Sequence, residues 1–274
     1  MSSPVCLDIE NTRKLQSLEL GTLEEFDRVC KKHDIRYTLI DGTLLGAVRH
    51  EGFIPWDDDV DVALLREDYN KLLAHSNEFS DQYFFQTKET DKEYFRLYAK
   101  VRINGTVFKE TAHANHRIHH GVYIDVFPID KIPNNRFLKK TQFLSFLFFE
   151  YGLSAKYLNI NSRVGFKRVV SWILRILYFP FTKSFLFSKC QKMATKFNYL
   201  SSNFSFRLFF GGYPEKEFDP KIFLDGTFAA SFCSKKYSII HDYDTYLKIV
   251  YGDYWSLPPI EKRVSKHYIS ELLL

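Results

Sequence analysis

Five residues near the front of the chain, Asp57-Asp58-Asp59-Val60-Asp61, hold four aspartates. At the two-residue period of a strand, Asp57, Asp59 and Asp61 share one face, and Asp58, Val60 and Val62 share the other. Carboxylates so placed repel: at about 5–7 Å, with an effective dielectric of roughly 20–80, each pair costs about 1–3 kcal/mol. Val60, Val62, Leu64 and Leu65 pull the segment into a core, which argues against a solvated acidic turn. A cation between the carboxylates relieves the repulsion. Only oxygen ligands are on offer, so the ion expected is a hard one, Mg²⁺ or Mn²⁺. Asp59 and Asp61 are the first candidates for ligands, with Asp57 as a third. A further carboxylate is expected from a neighbouring strand, and Asp125 fits: it stands among Val122, Tyr123, Ile124, Val126 and Phe127, where an unpaired charge is expensive to bury. In metal-assisted phosphoryl transfer, Asp125 can accept the proton of an attacking hydroxyl or complete the metal shell. The competing reading is a core aspartate bonded to the turn near Pro128.

Phosphate-binding groups surround this acidic stretch. Gly42-Thr43 opens a short helix, where backbone N–H groups face an anion and a glycine permits close approach. Arg49 lies between that turn and the acidic strand, and its guanidinium can clamp a diphosphate. His50 is a weaker candidate beside it. Lys100 and Arg102 share one face of an expected strand and can add positive potential, although a solvent-facing sheet shows the same alternation. His113, His116, His119 and His120 form a conspicuous cluster, but no Cys, Asp or Glu stands within it to complete a zinc site. The expectation there is a mobile loop.

Gly42-Thr43 on a strand-to-helix turn, followed by Asp-x-Asp on the next strand, resembles the nucleotidyltransferase superfamily pattern. That superfamily more often has Gly-Gly or Gly-Ser at the turn, so Thr43 is a departure. The longer string from Gly42 through Asp61 resembles the LicD family of phosphocholine transferases, relatives of the fukutin-type phosphotransferases. GVYIDVFPID (Gly121–Asp130) and YGDYWSLPPIEKRVSKH (Tyr251–His267) extend the resemblance to the far end of the chain. It implies a nucleotidyltransferase-like α/β (α+β) fold, a mixed sheet with flanking helices and carboxylates along one edge. It also implies a CDP-alcohol donor, with CDP-choline favoured over CDP-glycerol or CDP-ribitol. The acceptor would be a hydroxyl of a cell-surface glycan of teichoic acid or lipopolysaccharide type, or its lipid-linked precursor, with CMP leaving. In the closing motif Asp253, Trp255, Arg263 and His267 are free to face a site, and Tyr254 with Trp255 can contribute to an aromatic box for a quaternary ammonium. The rivals are nucleotidyl transfer, with pyrophosphate leaving, and a non-catalytic nucleotide- or glycan-binding protein.

The elements that must position these groups are legible from periodicity. Leu15, Leu18, Phe26 and Val29 mark an amphipathic helix over Glu10–His33, with Asp8 as its N-cap. Strands are expected at Arg36–Ile40, Asp59–Leu65, Gln82–Gln86, Tyr94–Ile103 and Gly121–Phe127, and helices at Thr43–Arg49 and Arg66–His75. Asn104-Gly105 reads as a hairpin turn. Beyond Arg136 the chain turns rich in Phe, Leu and basic residues, and reads as helices over Phe137–Leu153 and Phe166–Phe197, the second broken by Pro180. Tyr237–His241 reads as a strand and Tyr243–Val250 as a helix closed by Gly252. The expected organisation is a catalytic core over 1–135, a helical region over 136–210 facing membrane or acceptor, and a segment over 211–274 that completes the site. Arg163, Lys167, Arg168, Arg175 and Lys183 interleave with aromatic and aliphatic residues, a pattern that suits peripheral contact with an anionic membrane and equally a helix with its basic face in water.

Composition sets outer bounds. With 274 residues there is enough chain for a substantial core, and 27 Phe with 17 Tyr make it unusually aromatic. A net charge of +5 gives no case for nucleic acid. Cys6, Cys30, Cys190 and Cys233 are too scattered for a zinc or redox motif and read as free thiols. The absence of a basic-then-apolar N-terminal pattern, and of any uncharged run of about 18–20 residues, leads to the expectation of a cytoplasmic enzyme, at most bound to the inner membrane face.

Overall fold

A computed structural model describes residues 7–157, 165–265 and 267–274. Helix α1 (Ile9–Lys32) begins where the Asp8 carboxylate accepts the Asn11 N–H at 2.7 Å, and closes on Lys31 and Lys32, so both ends complement the helix dipole. Leu15, Leu23, Phe26 and Val29 are fully buried against a sheet. The chain then runs through β1 (Thr38–Leu39), α2 (Asp41–His50), β2 (Asp61–Leu65), α3 (Arg66–Ala74), β3 (Tyr83–Gln86), β4 (Ala99–Ile103), β5 (Val107–Glu110) and β6 (Tyr123–Pro133).

The main sheet has the order β1-β2-β6-β4-β3, with β2 and β6 parallel and the other pairs antiparallel. It is therefore the mixed sheet with flanking helices that the resemblance implies. β6 is long enough to serve two neighbourhoods. Its first half pairs with β2 and β4, and its second half with β7 (Phe204–Arg207).

The Asn104-Gly105 hairpin is a correction. Gly105 does turn the chain, with φ +79, but β5 leaves the sheet and pairs antiparallel with β10 (Ile269–Leu273) at the far end of the sequence. A two-residue turn signal reports the reversal and not the partner.

Helices α4 (Arg136–Tyr157), α5 (Phe166–Leu177) and α6 (Lys183–Thr195) form a separate layer, with the break at Pro180 between the last two. Phe146, Leu153, Tyr178, Leu186 and Cys190 make its core. After α7 (Pro220–Leu224), the hairpin β8 (Thr227–Phe232) and β9 (Lys235–Ile240) returns to β1, where the Thr38 hydroxyl accepts the Ile240 N–H at 2.9 Å. Helix α8 (Tyr243–Tyr251) ends at Gly252, φ +72. Cys30, Cys190 and Cys233 are free thiols; Cys6 and Arg163 lie outside the described residues. Among the described residues no helix is long and apolar enough to cross a membrane.

Candidate active site

Strand register brings the separated charges together. Parallel pairing sets Asp61 opposite Asp125, and antiparallel pairing sets Asp125 opposite Lys100. Ladder partners project to one face, so the three side chains form a row across β2, β6 and β4. Lys100 Nζ lies 2.6 Å from Asp125 Oδ1 and 3.2 Å from the centre of the Tyr123 ring. Asp125 is therefore anchored by a cation on the next strand and not by the turn near Pro128. Lys100 is buried and not at a solvent face. Burial pushes its pKa down, against the opposing pull of Asp125. Arg102, on the same face two residues on, donates to Gln86 Oε1 at 2.5 Å and to the Gly121 carbonyl at 2.6 Å. Two of its five N–H donors thus hold β3 and the entry to β6.

The acidic stretch departs from the expected alternation. The strand begins at Asp61; Val60 enters the ladder only through its carbonyl, which accepts the Asp125 N–H at 2.8 Å, and Asp57 to Asp59 precede it outside the named strands, so no ladder enforces a period of two on them. Instead carboxylate oxygens of Asp57, Asp58 and Asp59 all lie within 4.8 Å of one another. Two elements hold this turn in place. On one side, Gln16 Nε2 of α1 donates to the Asp57 carbonyl at 2.9 Å. On the other, Asp58 Oδ2 accepts from the Ser265 hydroxyl and the His267 N–H, and Asp58 Oδ1 lies 3.2 Å from His267 Nδ1. Asp58 thus ties the closing motif to the turn, a role that its odd position in the run conceals. Burial depresses the His267 pKa, but the hydrogen bond and charge of Asp58, with Asp59 and Glu110 behind it, raise it to about 9.

Helix α2 brings its N-terminus to the same place. A Cβ on Gly42 would sit 2.6 Å from Asp57 Oδ2, so any larger residue there would force that carboxylate to move. Thr43 Oγ1 accepts the Asp61 N–H at 2.8 Å and pins the first turn of α2 to the first residue of β2. Asp41 is buried at the helix start, where Tyr246 donates to it at 2.6 Å. Arg49, at the other end of α2, donates to the Tyr254 carbonyl at 2.5 Å, with His50 beside it. Burial lowers the pKa of both.

The closing motif spreads its side chains. Arg263 donates to the Pro258 carbonyl at 2.8 Å and stands over Trp56, 5.5 Å from the ring centre. With His267 it lines a cleft of about 310 Å³ beside the acidic turn. Trp255 is exposed, whereas Tyr254 is buried and donates to Asp244 at 2.8 Å. In the His113–His120 segment His116 bonds the Tyr157 carbonyl, His120 bonds the His116 carbonyl, and His113 lies 3.1 Å from Arg96.

Periodicity also missed Glu19. It lies on the buried face of α1, and its carboxyl is pushed well above its usual pKa by burial and by Asp59, Asp58, Asp57 and Asp125. Asp61 is raised in the same way, by burial first and then by Asp59, Asp125, Asp41 and Asp57. A cluster of hard oxygen donors under this much mutual repulsion fits a divalent cation, and the chain supplies few positive charges of its own there.

Residues 34–152 match the family model described as LicD/FKTN/FKRP, nucleotidyltransferase domain. The chain is 27% identical to the lipopolysaccharide cholinephosphotransferase LicD of Haemophilus influenzae, over 94% of its own length and 96% of that protein. Residues 34–152 thus resemble a LicD-family nucleotidyltransferase domain. Uncharacterized proteins of Rickettsia prowazekii and Rickettsia typhi share 46% identity with it over 46 residues, 17% of this chain. The LicD-family match runs from just before β1 into α4, and so contains Gly42, the aspartate turn, Asp125 and Lys100.

Proposed function

We propose that this chain is a metal-dependent phosphotransferase that moves phosphocholine from CDP-choline to a hydroxyl of a cell-surface glycan or its lipid-linked precursor, releasing CMP. One observation carries the reading: Asp61 and Asp125 stand side by side on β2 and β6, beside the Asp57–Asp59 turn and the N-terminus of α2. The name of the Haemophilus relative supports choline as the cargo and lipopolysaccharide as the acceptor class.

Asp57, Asp59, Asp61 and Asp125 would hold Mg²⁺ or Mn²⁺, which when bound supplies Lewis-acid neutralisation of the diphosphate. Asp125 accepts the proton of the attacking hydroxyl, with Lys100 fixing its orientation. Backbone N–H groups of Gly42 and Thr43 face the phosphates. Arg49 keeps donors beyond the two spent on the Tyr254 carbonyl and the His50 ring, and with Arg263 and His267 it holds the donor in line for displacement. The reaction is placed on the cytoplasmic side, where CDP-activated alcohols are expected by family resemblance.

The test is product analysis with CDP-choline, Mg²⁺ and a lipid-linked glycan acceptor, with EDTA as control. CMP as the leaving product is expected, and pyrophosphate would transfer the chain to the nucleotidyl class. Asp125→Asn should bind CDP-choline by isothermal titration and fail to turn over; wild-type turnover would remove Asp125 from the mechanism. A second donor class is favoured by one feature: the Tyr254 ring lies 5.4 Å from that of Trp255 but is buried and spends its hydroxyl on Asp244, so of this pair only Trp255 is open to solvent. Titration with CDP-glycerol and CDP-ribitol separates the donors.

A further inference from the structure

Helix α5 is built inside out. Ser171 and Tyr178 are buried and Leu174 packs on the α4–α6 core, so this face meets the protein. On the opposite face Phe166, Val169, Trp172, Ile173 and Ile176 are all at least half exposed, and Phe179 just past the helix is 79% exposed. Lys167, Arg168 and Arg175 flank this face and are themselves exposed. An apolar ridge with a cationic border, on a helix too short and too charged to cross a bilayer, is the form of an interfacial helix.

The charge pattern says what covers it. From Tyr151 to Pro214 the chain has ten Lys and Arg and not one Asp or Glu, so all 33 acidic residues lie elsewhere. A second copy of the chain would oppose this face with its own cations, and an ordinary protein partner does not require 64 consecutive residues free of carboxylate. A sheet of anionic phosphate headgroups over an apolar interior matches both features.

We infer that α5, with the adjoining exposed residues of α4, docks on an anionic phospholipid bilayer with Phe166, Trp172, Ile173, Ile176 and Phe179 in the acyl boundary and the basic residues at the headgroups. The docking stands on its own. Its purpose rests on the proposed function: a lipid-linked acceptor would be held at the same surface. Two cavities lie between α4 and the carboxylates, on either side of shared lining residues. One, about 280 Å³, lies between α4 and the 209–214 loop, and the other, about 100 Å³, ends at Asp125; both are lined by Phe95, Arg96 and Tyr98.

The experiment is co-sedimentation of the full chain with vesicles of phosphatidylcholine alone or mixed with phosphatidylglycerol. Sedimentation is expected with the anionic vesicles and not with the neutral ones. Lys167→Gln/Arg168→Gln/Arg175→Gln should weaken it about a hundredfold. Brominated lipid should quench tryptophan fluorescence in the wild type and much less in Trp172→Phe. Binding of the wild type to neither vesicle, unchanged binding of Ile173→Asp/Ile176→Asp, or a dimer in lipid-free solution that this double variant converts to monomer would each overturn the inference. CMP release with a water-soluble glycan acceptor is measured on the same variants. It should be unchanged, and its absence in the wild type as well would count against the proposed function without touching the docking.

Discussion

The acidic end of the main sheet and the α4–α6 layer solve opposite problems. In the sheet, apolar side chains are hidden and carboxylates outnumber the buried cations Lys100 and Arg102, so that Asp59 and Asp125 raise the cost of ionising Asp61 and Glu19. In the helical layer the charges, apart from Glu150 on α4, are positive and spread over the outside, and apolar side chains stand in the open beside them. Each region is poorly satisfied by the protein alone. The first has more carboxylates than Lys100 and His267 can offset, and the second lacks apolar cover. The contrast teaches that unsatisfied chemistry is partitioned by type, so a cation and a lipid surface can be sought at different places.

The strongest way to break this comparison is Asp61→Asn. If the sheet end is a charge trap for a cation, turnover should fall about 10³-fold while the melting temperature holds or rises, because a repelled buried charge has been removed. A loss of stability in place of activity would make Asp61 a structural residue.

The joint between the regions is next. Arg66 pairs with fully buried Asp130 at 2.6 Å, and Asp130 also accepts from Asn198, just beyond α6. Asp130→Ala leaves Arg66 uncompensated and should cost about 3–5 kcal/mol in urea unfolding. A smaller cost would mean that the two layers are held independently of this pair.

The tether at Asp58 gives a pH signature. Because His267 is raised to about 9 in the folded chain, its contribution is complete below the unfolded pKa near 6.5 and is lost as pH climbs through about 9. In metal-free buffer, stability should therefore decline between pH 7 and pH 10 by about 1.5–3 kcal/mol, and His267→Asn should flatten that slope. The smallest effect belongs to the open face of α5. Ile173→Ser and Ile176→Ser should change unfolding free energy by less than about 0.5 kcal/mol, since both side chains are more than half exposed. A larger loss would place them in a core.

Much of this architecture was written in local pattern. The 3.6-residue spacing of α1, the Asp8 cap, the Gly42 turn and the run from Asp61 to Leu65 each announce their element, because a single face decides their burial. What escaped was long-range. The β5–β10 pairing joins segments some 160 residues apart, and Asn104-Gly105 suggested a nearer partner. Asp58 looked like the odd member of an alternating run, because a strand was assumed where the chain is still a turn. Glu19 counted as a polar interruption of an apolar stripe, when its helix face meets the carboxylates. Lys100 and Arg102 could be given a common face but not a side of the sheet. The outward turn of α5 was equally hidden, since an amphipathic pattern names two faces without saying which one meets the protein.

The bond from Ser265 and His267 to Asp58 has a practical consequence for anyone trimming this chain. Asp58 sits between Asp57 and Asp59, and β10 follows within two residues of His267. Cutting the tail before Val264 would release the clamp on the aspartate turn and unzip β5 from its partner in one stroke. A shortened protein that folds but is inert would therefore carry an active-site lesion made from two hundred residues away.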